Sequence, residues 1–273
     1  MNRMDGKICL VAGATQGLGA AIAHRLAEAG AAGLVITGRS ADKGGALARK
    51  IEAETGCTTR FVRADLAVVE DCLRAVDETE SAFGALHVLV CAGALTDRGT
   101  ILDTDPELFD RMMATNLRGP FFLMQAAIRQ MIRNGIAGAI CNIGSMSALS
   151  GQPFISAYCA SKGGLATLTA NTAFAVMKNR IRVNQLNLGW MASDHEIALQ
   201  TAERGDADWL AKTAGGQPFG RLIDPAEAAR AVNFLVSDDA GLMTGAIVNY
   251  DQSVWGAAAD QMPMPSGPLS LSA

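Results

Sequence analysis

Seven short apolar runs, separated by longer stretches of helical period, constrain this 273-residue chain more than any other feature. The runs are KICLVA (7–12), LVITG (34–38), TRFVRA (59–64), LHVLVCAG (86–93), GAICNIGS (138–145), IRVNQLNLG (181–189) and AIVNYD (246–251). Most are apolar nearly throughout, as in strands covered on both faces. Between them, residues 17–29 carry Leu18, Ile22, Leu26 and Ala29 at steps of three or four, and 42–55, 68–83, 105–133, 157–177 and 225–236 are further helix candidates. Asp105-Pro106 and Asp224-Pro225 each put a capping side chain before a proline at the first helical position. Strand alternating with helix predicts an α/β fold: a doubly wound sheet of about seven parallel strands with helices on both faces. No linker divides residues 1–255, which read as one domain.

Two regions depart from this rhythm. After Gly189 the chain runs to Asp224 before the next strong helix signal, so about 190–224 reads as an extra helical piece or a substrate lid. The proline-bearing tail, 256–273, offers no regular element and reads as disorder or as a strap across a neighbouring subunit.

Composition narrows the function classes. A formal net charge of −4 and a pI near 5.4 provide no basic surface for nucleic acid. No run approaches the roughly 20 apolar residues of a membrane span, and MNRMDGKICLVAG lacks a signal-peptide h-region, so a cytoplasmic protein is expected. The six cysteines form no CxxC pair and read as reduced thiols. The three histidines, His24, His87 and His195, are scattered, and no metal site is expected.

The first run leads into AGATQGLG, which sets Gly13, Gly17 and Gly19 between a strand and a helix. Such a turn lets backbone approach a pyrophosphate, while the following helix offers unpaired N–H groups and its positive dipole end. The second run ends TGRS. No acidic residue stands there to hold a ribose hydroxyl; Gly38 leaves room for a phosphate and Arg39 offers a clamp for one. NADP is therefore favoured and NAD remains possible. Asp65, after the third strand, suits either an adenine amino group or the cap of the next helix.

YCASK places Tyr158 and Lys162 one helical turn apart on a shared face. Free tyrosine titrates near 10. A neighbouring ammonium is expected to lower that value and fit the phenol for proton transfer. Ser145, at the end of the fifth run, is placed to polarise a carbonyl oxygen between it and Tyr158. Asn116, in the middle of a helical stretch, reads either as a water holder near Lys162 or as a simple kink. Cys159, Ala160 and Ser161 read as helix filling, whereas Gly163 and Gly164 imply close packing.

AGATQGLG, ADL, VCAG, Asn116, Ser145, YCASK and NLGWMAS resemble, in order and spacing, the short-chain dehydrogenase/reductase family over about residues 5–251. The resemblance implies a Rossmann-type fold binding NAD(P)(H). It implies Tyr158 as general acid/base, Lys162 as its partner and ribose ligand, Ser145 orienting the substrate oxygen, and Asn116 supporting a water relay. Cofactor contacts would fall on Gly13, Thr15, Gln16, Gly17, Leu18 and Gly19 in the first turn. Further along they would fall on Arg39, Asp65 and Leu66, on Cys91, Ala92 and Gly93, and on Gly189, Met191 and Ser193. Ser147, Phe154 and Trp190 would line the substrate pocket, while His195 and Glu196 either read a polar substrate group or are solvated. Ala12, Cys91, Leu188 and Gln252 depart from the family pattern. The implied reaction interconverts a secondary alcohol and a ketone in a homodimer or homotetramer. The alternatives are an NAD-linked sugar or polyol dehydrogenase and a non-catalytic NADP-binding regulator.

Overall fold

A computed structural model of the chain describes residues 3–149, 151–206, 208–257 and 267. The tail from 258 onward, Gly267 apart, and the side chain of His195 lie outside the described residues.

Seven strands form one parallel sheet: β1 (Ile8–Ala12), β2 (Gly33–Gly38), β3 (Thr59–Arg63), β4 (Val88–Cys91), β5 (Ala139–Ser145), β6 (Arg182–Leu188) and β7 (Ile247–Tyr250). Their order across the sheet is β3-β2-β1-β4-β5-β6-β7. Each lies within one or two residues of the run that predicted it. The order reverses between β1 and β4, so the loops leaving these two strands diverge and open a crevice at their carboxyl ends.

Strand pleating explains why the runs are apolar throughout. In β1, Cys9 and Val11 face one core while Leu10 and Ala12 face the other. The first core is closed by α1 (Gly17–Glu28), α2 (Ala41–Thr55) and the later helix over 225–236. The second is closed by α3 (Val69–Phe83), α5 (Gly119–Arg133) and α6 (Ser156–Val176). Edge strand β3 instead exposes Arg60 and Arg63, which discourages pairing with another chain.

The expected helix over 105–133 is not continuous. It begins as α4 (Pro106–Met113), capped by Asp105, whose carboxylate accepts from the Leu108 N–H at 2.7 Å. It then widens into a π-helical turn over Ala114–Arg118 and continues as α5. The long segment after β6 is helical: α7 (Asp194–Arg204) and α8 (Trp209–Gly215) precede α9 (Pro225–Val236), which starts at Asp224-Pro225 as its sequence indicates. No helix among the described residues is long and apolar enough to cross a membrane.

Candidate active site

The carboxyl ends of the strands gather the singled-out residues into one crevice. At the end of β1, Gly13 takes φ +80°, and a Cβ there would run into the backbone of Gly93. Glycine is therefore required twice over, for its dihedral and for the contact. The Ala92 and Gly93 N–H groups both donate to the Ala12 carbonyl, at 2.8 and 2.9 Å, tying the β4 loop to the glycine turn. Leu66 is buried against Gly93, and Thr15 packs on Gly38.

Helix α1 starts at Gln16, whose side chain makes no capping bond, and its first turn holds no acidic residue. The first-turn N–H groups, including those of Gly17, Leu18 and Gly19, are thus left to an anion. This cradle fits a dinucleotide pyrophosphate.

Beside it, Arg39 is exposed, and Lys43 in the first turn of α2 donates to Gln16 Oε1 at 3.3 Å. Lys43 adds a second cation that sequence reasoning missed. Its signal was position alone, in the first turn of the helix that follows Arg39. Asp65 does not cap α3, whose N-cap is Val68; its Oδ1 accepts from the Ala67 N–H at 2.9 Å in a local turn. Cys91 is buried at the end of β4, in register with Ala12 and Asn142, and burial raises its thiol pKa well above the ordinary value.

At the end of β5, Ser145 is 9% exposed, and its Oγ accepts from the Ser147 N–H at 3.1 Å. The Ser145 hydroxyl also faces the Tyr158 phenol and favours its ionised form. Lys162 lies beneath, 2% exposed, and donates to the Ile143 carbonyl at 2.8 Å. Its ammonium stands 5.6 Å from the centre of the Tyr158 ring, over the face and not at the oxygen.

This geometry corrects one expectation. Burial dominates both groups, pushing Tyr158 up to about 12 and Lys162 down to about 8. With these values Lys162 has lost its charge before the phenol ionises, so it does not depress the phenol here.

Asn116 occupies the π-helical turn and is fully buried. Its amide clamps Leu95, donating to the carbonyl at 2.9 Å and accepting from the N–H at 2.8 Å. It also donates to Ser161 Oγ at 3.1 Å, and Ser161 in turn donates to the Tyr158 carbonyl at 2.7 Å. Ser161 is therefore not helix filling. It shares the inner face of α6 with Tyr158 and Lys162, a spacing of three and four that the sequence displayed. Cys159 likewise has a task, accepting from the Gln152 N–H at 3.4 Å.

A buried polar chain then fixes α6 on the sheet. Asn142 donates to Thr169 Oγ1 at 2.9 Å, Thr169 donates to Gln185 Oε1 at 3.2 Å, and Gln185 donates to Asn187 Oδ1 at 2.7 Å. Such a chain holds α6, and so Tyr158, at a set distance from Ser145 on β5.

Beyond β6, a Cβ at Gly189 would strike the Asp251 carboxylate. Met191 pairs with Ile223, and Ser193 sits above Gly17 while its hydroxyl accepts from the Glu196 N–H at 3.2 Å as the cap of α7. The half-buried Trp190 ring stacks on Trp209 at 5.9 Å between centres, and its N–H donates to Glu196 at 2.9 Å. Phe154 lies under the Arg98 guanidinium at 5.1 Å, and the Ser147 hydroxyl donates to Gln152 Oε1 at 3.0 Å. Gln152 and Gln252 were not singled out as site residues. Gln252 binds the Phe219 N–H at 2.8 Å and the Arg221 carbonyl at 2.6 Å, so its departure from the family pattern anchors the end of the lid segment.

Residues 13–253 match a family model described as enoyl-(acyl carrier protein) reductase. The chain belongs to the short-chain dehydrogenase/reductase family. This short-chain dehydrogenase/reductase is 34% identical over 90% of its length to a cis-4-hydroxycyclohexanecarboxylate dehydrogenase from Sinomonas cyclohexanicum, covering 95% of that relative. It is 31% identical over 90% of its length to an NADP-dependent (R)-specific alcohol dehydrogenase from Lentilactobacillus kefiri, covering 95% of it. Among solved structures, L-sorbose reductase from Gluconobacter frateurii, complexed with NADPH and L-sorbose, superimposes with a TM-score of 0.89 at 26% identity. That match covers 94% of this chain and all of the other.

Proposed function

We propose that this short-chain dehydrogenase/reductase is an NADP(H)-dependent oxidoreductase that interconverts a secondary alcohol and a ketone, with Tyr158 as general acid/base. One observation carries the reading: Ser145 and Tyr158 converge on one point, with buried Lys162 beneath them and the uncapped α1 turn across the crevice. Gly13 and the α1 turn would hold the pyrophosphate, and Lys162 the nicotinamide ribose. Bound NADP(H) supplies or accepts the hydride. Ser145 holds the substrate oxygen, and Tyr158 gives it a proton or takes one from it.

At neutral pH Tyr158 keeps its proton and can donate it to a developing alkoxide, a stronger base. Arg39 and Lys43, two cations flanking Gly38 with no acidic residue at the strand end, support NADP over NAD, as does the NADP-dependent relative. Helices α7 and α8 form the substrate lid. The cysteines, five of them buried and all unpaired, support a reducing, cytoplasmic setting.

Exposed Phe121 lines the groove between α4–α5 and α6, Phe109 and Phe174 are exposed on the same helices, and this apolar exposure supports a homo-oligomer. Ala170 is exposed there, whereas Ala173 is spent in the chain's own core.

The test is a cofactor-coupled screen of ketones, secondary alcohols and polyols with both nicotinamide cofactors. The reading expects ketone-dependent NADPH oxidation, with kcat/KM for NADPH at least about tenfold above that for NADH and lost in Arg39→Ala. Cofactor binding without turnover of any substrate would overturn it.

A further inference from the structure

Helix α7 bridges two walls of the crevice. At its start Ser193 sits above Gly17 of the glycine turn and caps the helix. Its 11 residues span about 16 Å, and the last turn carries Glu203. The two Glu203 carboxylate oxygens accept from Arg98 Nε and Nη2 at 2.9 and 2.6 Å. Arg98 belongs to the loop between β4 and α4, 105 residues earlier in the chain.

Arg98 stands on fixed backbone. Asn116 clamps Leu95, the Gly99 N–H donates to the Phe154 carbonyl at 2.9 Å, and the Gly99 carbonyl accepts from the Ser156 N–H at 2.9 Å. Ser156 opens α6, two residues before Tyr158. The guanidinium itself rests on the Phe154 ring at 5.1 Å. On the other side, Thr201 accepts from the Trp209 indole at 2.9 Å, so the last turns of α7 are tied to α8. A carboxylate in the last turn of a helix faces the negative end of the dipole, so Glu203 weakens α7 unless a cation answers it. Most exposed ion pairs contribute little, but a two-point guanidinium–carboxylate pair is the strong form, and here the cation is already held on an aromatic face.

We propose that the Arg98–Glu203 pair is a latch that holds α7 shut across the crevice, and that its breaking sets how fast the nicotinamide cofactor leaves. Arg98 acts through α7 and is a positioning residue. Because α7 starts at the glycine turn, a helix freed at Glu203 swings off the cradle that would hold the pyrophosphate. The release step rests on the oxidoreductase reading above, whereas the latch stands on the contacts of α7.

Amide hydrogen exchange across 194–204 without cofactor, and stopped-flow release of NADPH, test it. The proteins are the wild type, Arg98→Gln, Glu203→Gln and the charge-swapped double variant Arg98→Glu with Glu203→Arg. Each single variant should raise α7 exchange and NADPH release about five- to tenfold, and the swap should return both to within about threefold of the wild type. Glu203→Gln separates the latch from helix propensity: removing an acid from the last turn steadies a lone helix and slows exchange, whereas a broken latch speeds it. Raising salt to ~0.5 M should speed exchange in the wild type and leave Glu203→Gln unchanged. Single variants that exchange within about 1.5-fold of the wild type, or a swap that exchanges faster than either single, overturn the latch. Variants that loosen α7 but release NADPH at the wild-type rate overturn its role in release. A chain that binds neither NADPH nor NADH overturns the oxidoreductase reading, and the exchange result still decides the latch.

Discussion

Replacing Lys162 by methionine is expected to stabilise the protein near neutral pH while abolishing turnover. The lysine is 2% exposed, and burial lowers its pKa from 10.5 to about 8. That difference corresponds to ~3 kcal/mol disfavouring the charged form in the folded protein. Two losses offset the gain. The Ile143 carbonyl loses its donor at 2.8 Å, which costs about 1–2 kcal/mol. The cation over the Tyr158 ring, 5.6 Å from its centre, contributes roughly 0.5 kcal/mol more. The net is ~1 kcal/mol in favour of methionine at pH 7.

The pH dependence separates this from a generic packing gain. Between about 8 and 10.5 the unfolded chain still binds the lysine proton while the folded protein has released it. Wild-type stability therefore rises with pH through that window, relative to a variant with nothing to titrate there. The methionine advantage should shrink above pH 8 and become a deficit of ~2 kcal/mol near pH 10.5. Urea unfolding of both proteins at pH 7 and pH 10, without cofactor, measures the difference directly. A gap between the two that does not change with pH would refute the reasoning.

Two further outcomes follow from buried contacts away from the reaction. Arg182 donates to the carbonyls of Leu235, Met243 and Ser237 at 2.8, 3.3 and 2.7 Å, closing the C-terminal end of α9 on β6; Arg182→Met should cost about 2–4 kcal/mol in urea unfolding. His87 Nδ1 accepts from the Ile8 N–H at 3.0 Å, so the ring must stay neutral, and burial together with Lys7 lowers its pKa below 6.5. The unfolded chain takes this proton first, so the His87 contribution is present above pH 6.5 and fades as pH falls through the depressed value. A His87→Asn protein should lose less stability than the wild type between pH 6.5 and pH 5.

The inner strands were legible because both faces of each are buried, and a run of ICLVA or LVITG in a chain of this length has little else to do. The glycine turn and the Tyr158–Lys162 pair were legible because spacing alone places them. Asn116 was legible as an anomaly, but not as the residue that widens a helix and clamps Leu95. That pairing joins positions 21 residues apart and depends on how α4 meets the β4 loop. Ser161 was missed because a serine inside a helix gives no sign of its partner until the helix is docked. The pKa of Tyr158 was read from its neighbour's charge, whereas the depth of the crevice decides it, and depth is a property of the whole fold. Glu196 stayed open between a polar contact and solvent for the same reason: its bond to the Trp190 indole forms only once the segment after β6 is folded.

The central claim is that Tyr158 moves the proton while other residues hold the cofactor. Its most direct test is NADPH binding and single-turnover ketone reduction by Tyr158→Phe. The account expects NADPH affinity within about threefold of the wild type and a reduction rate lower by about 10³-fold. A Tyr158→Phe enzyme that still reduces ketone within about tenfold of the wild-type rate would contradict it.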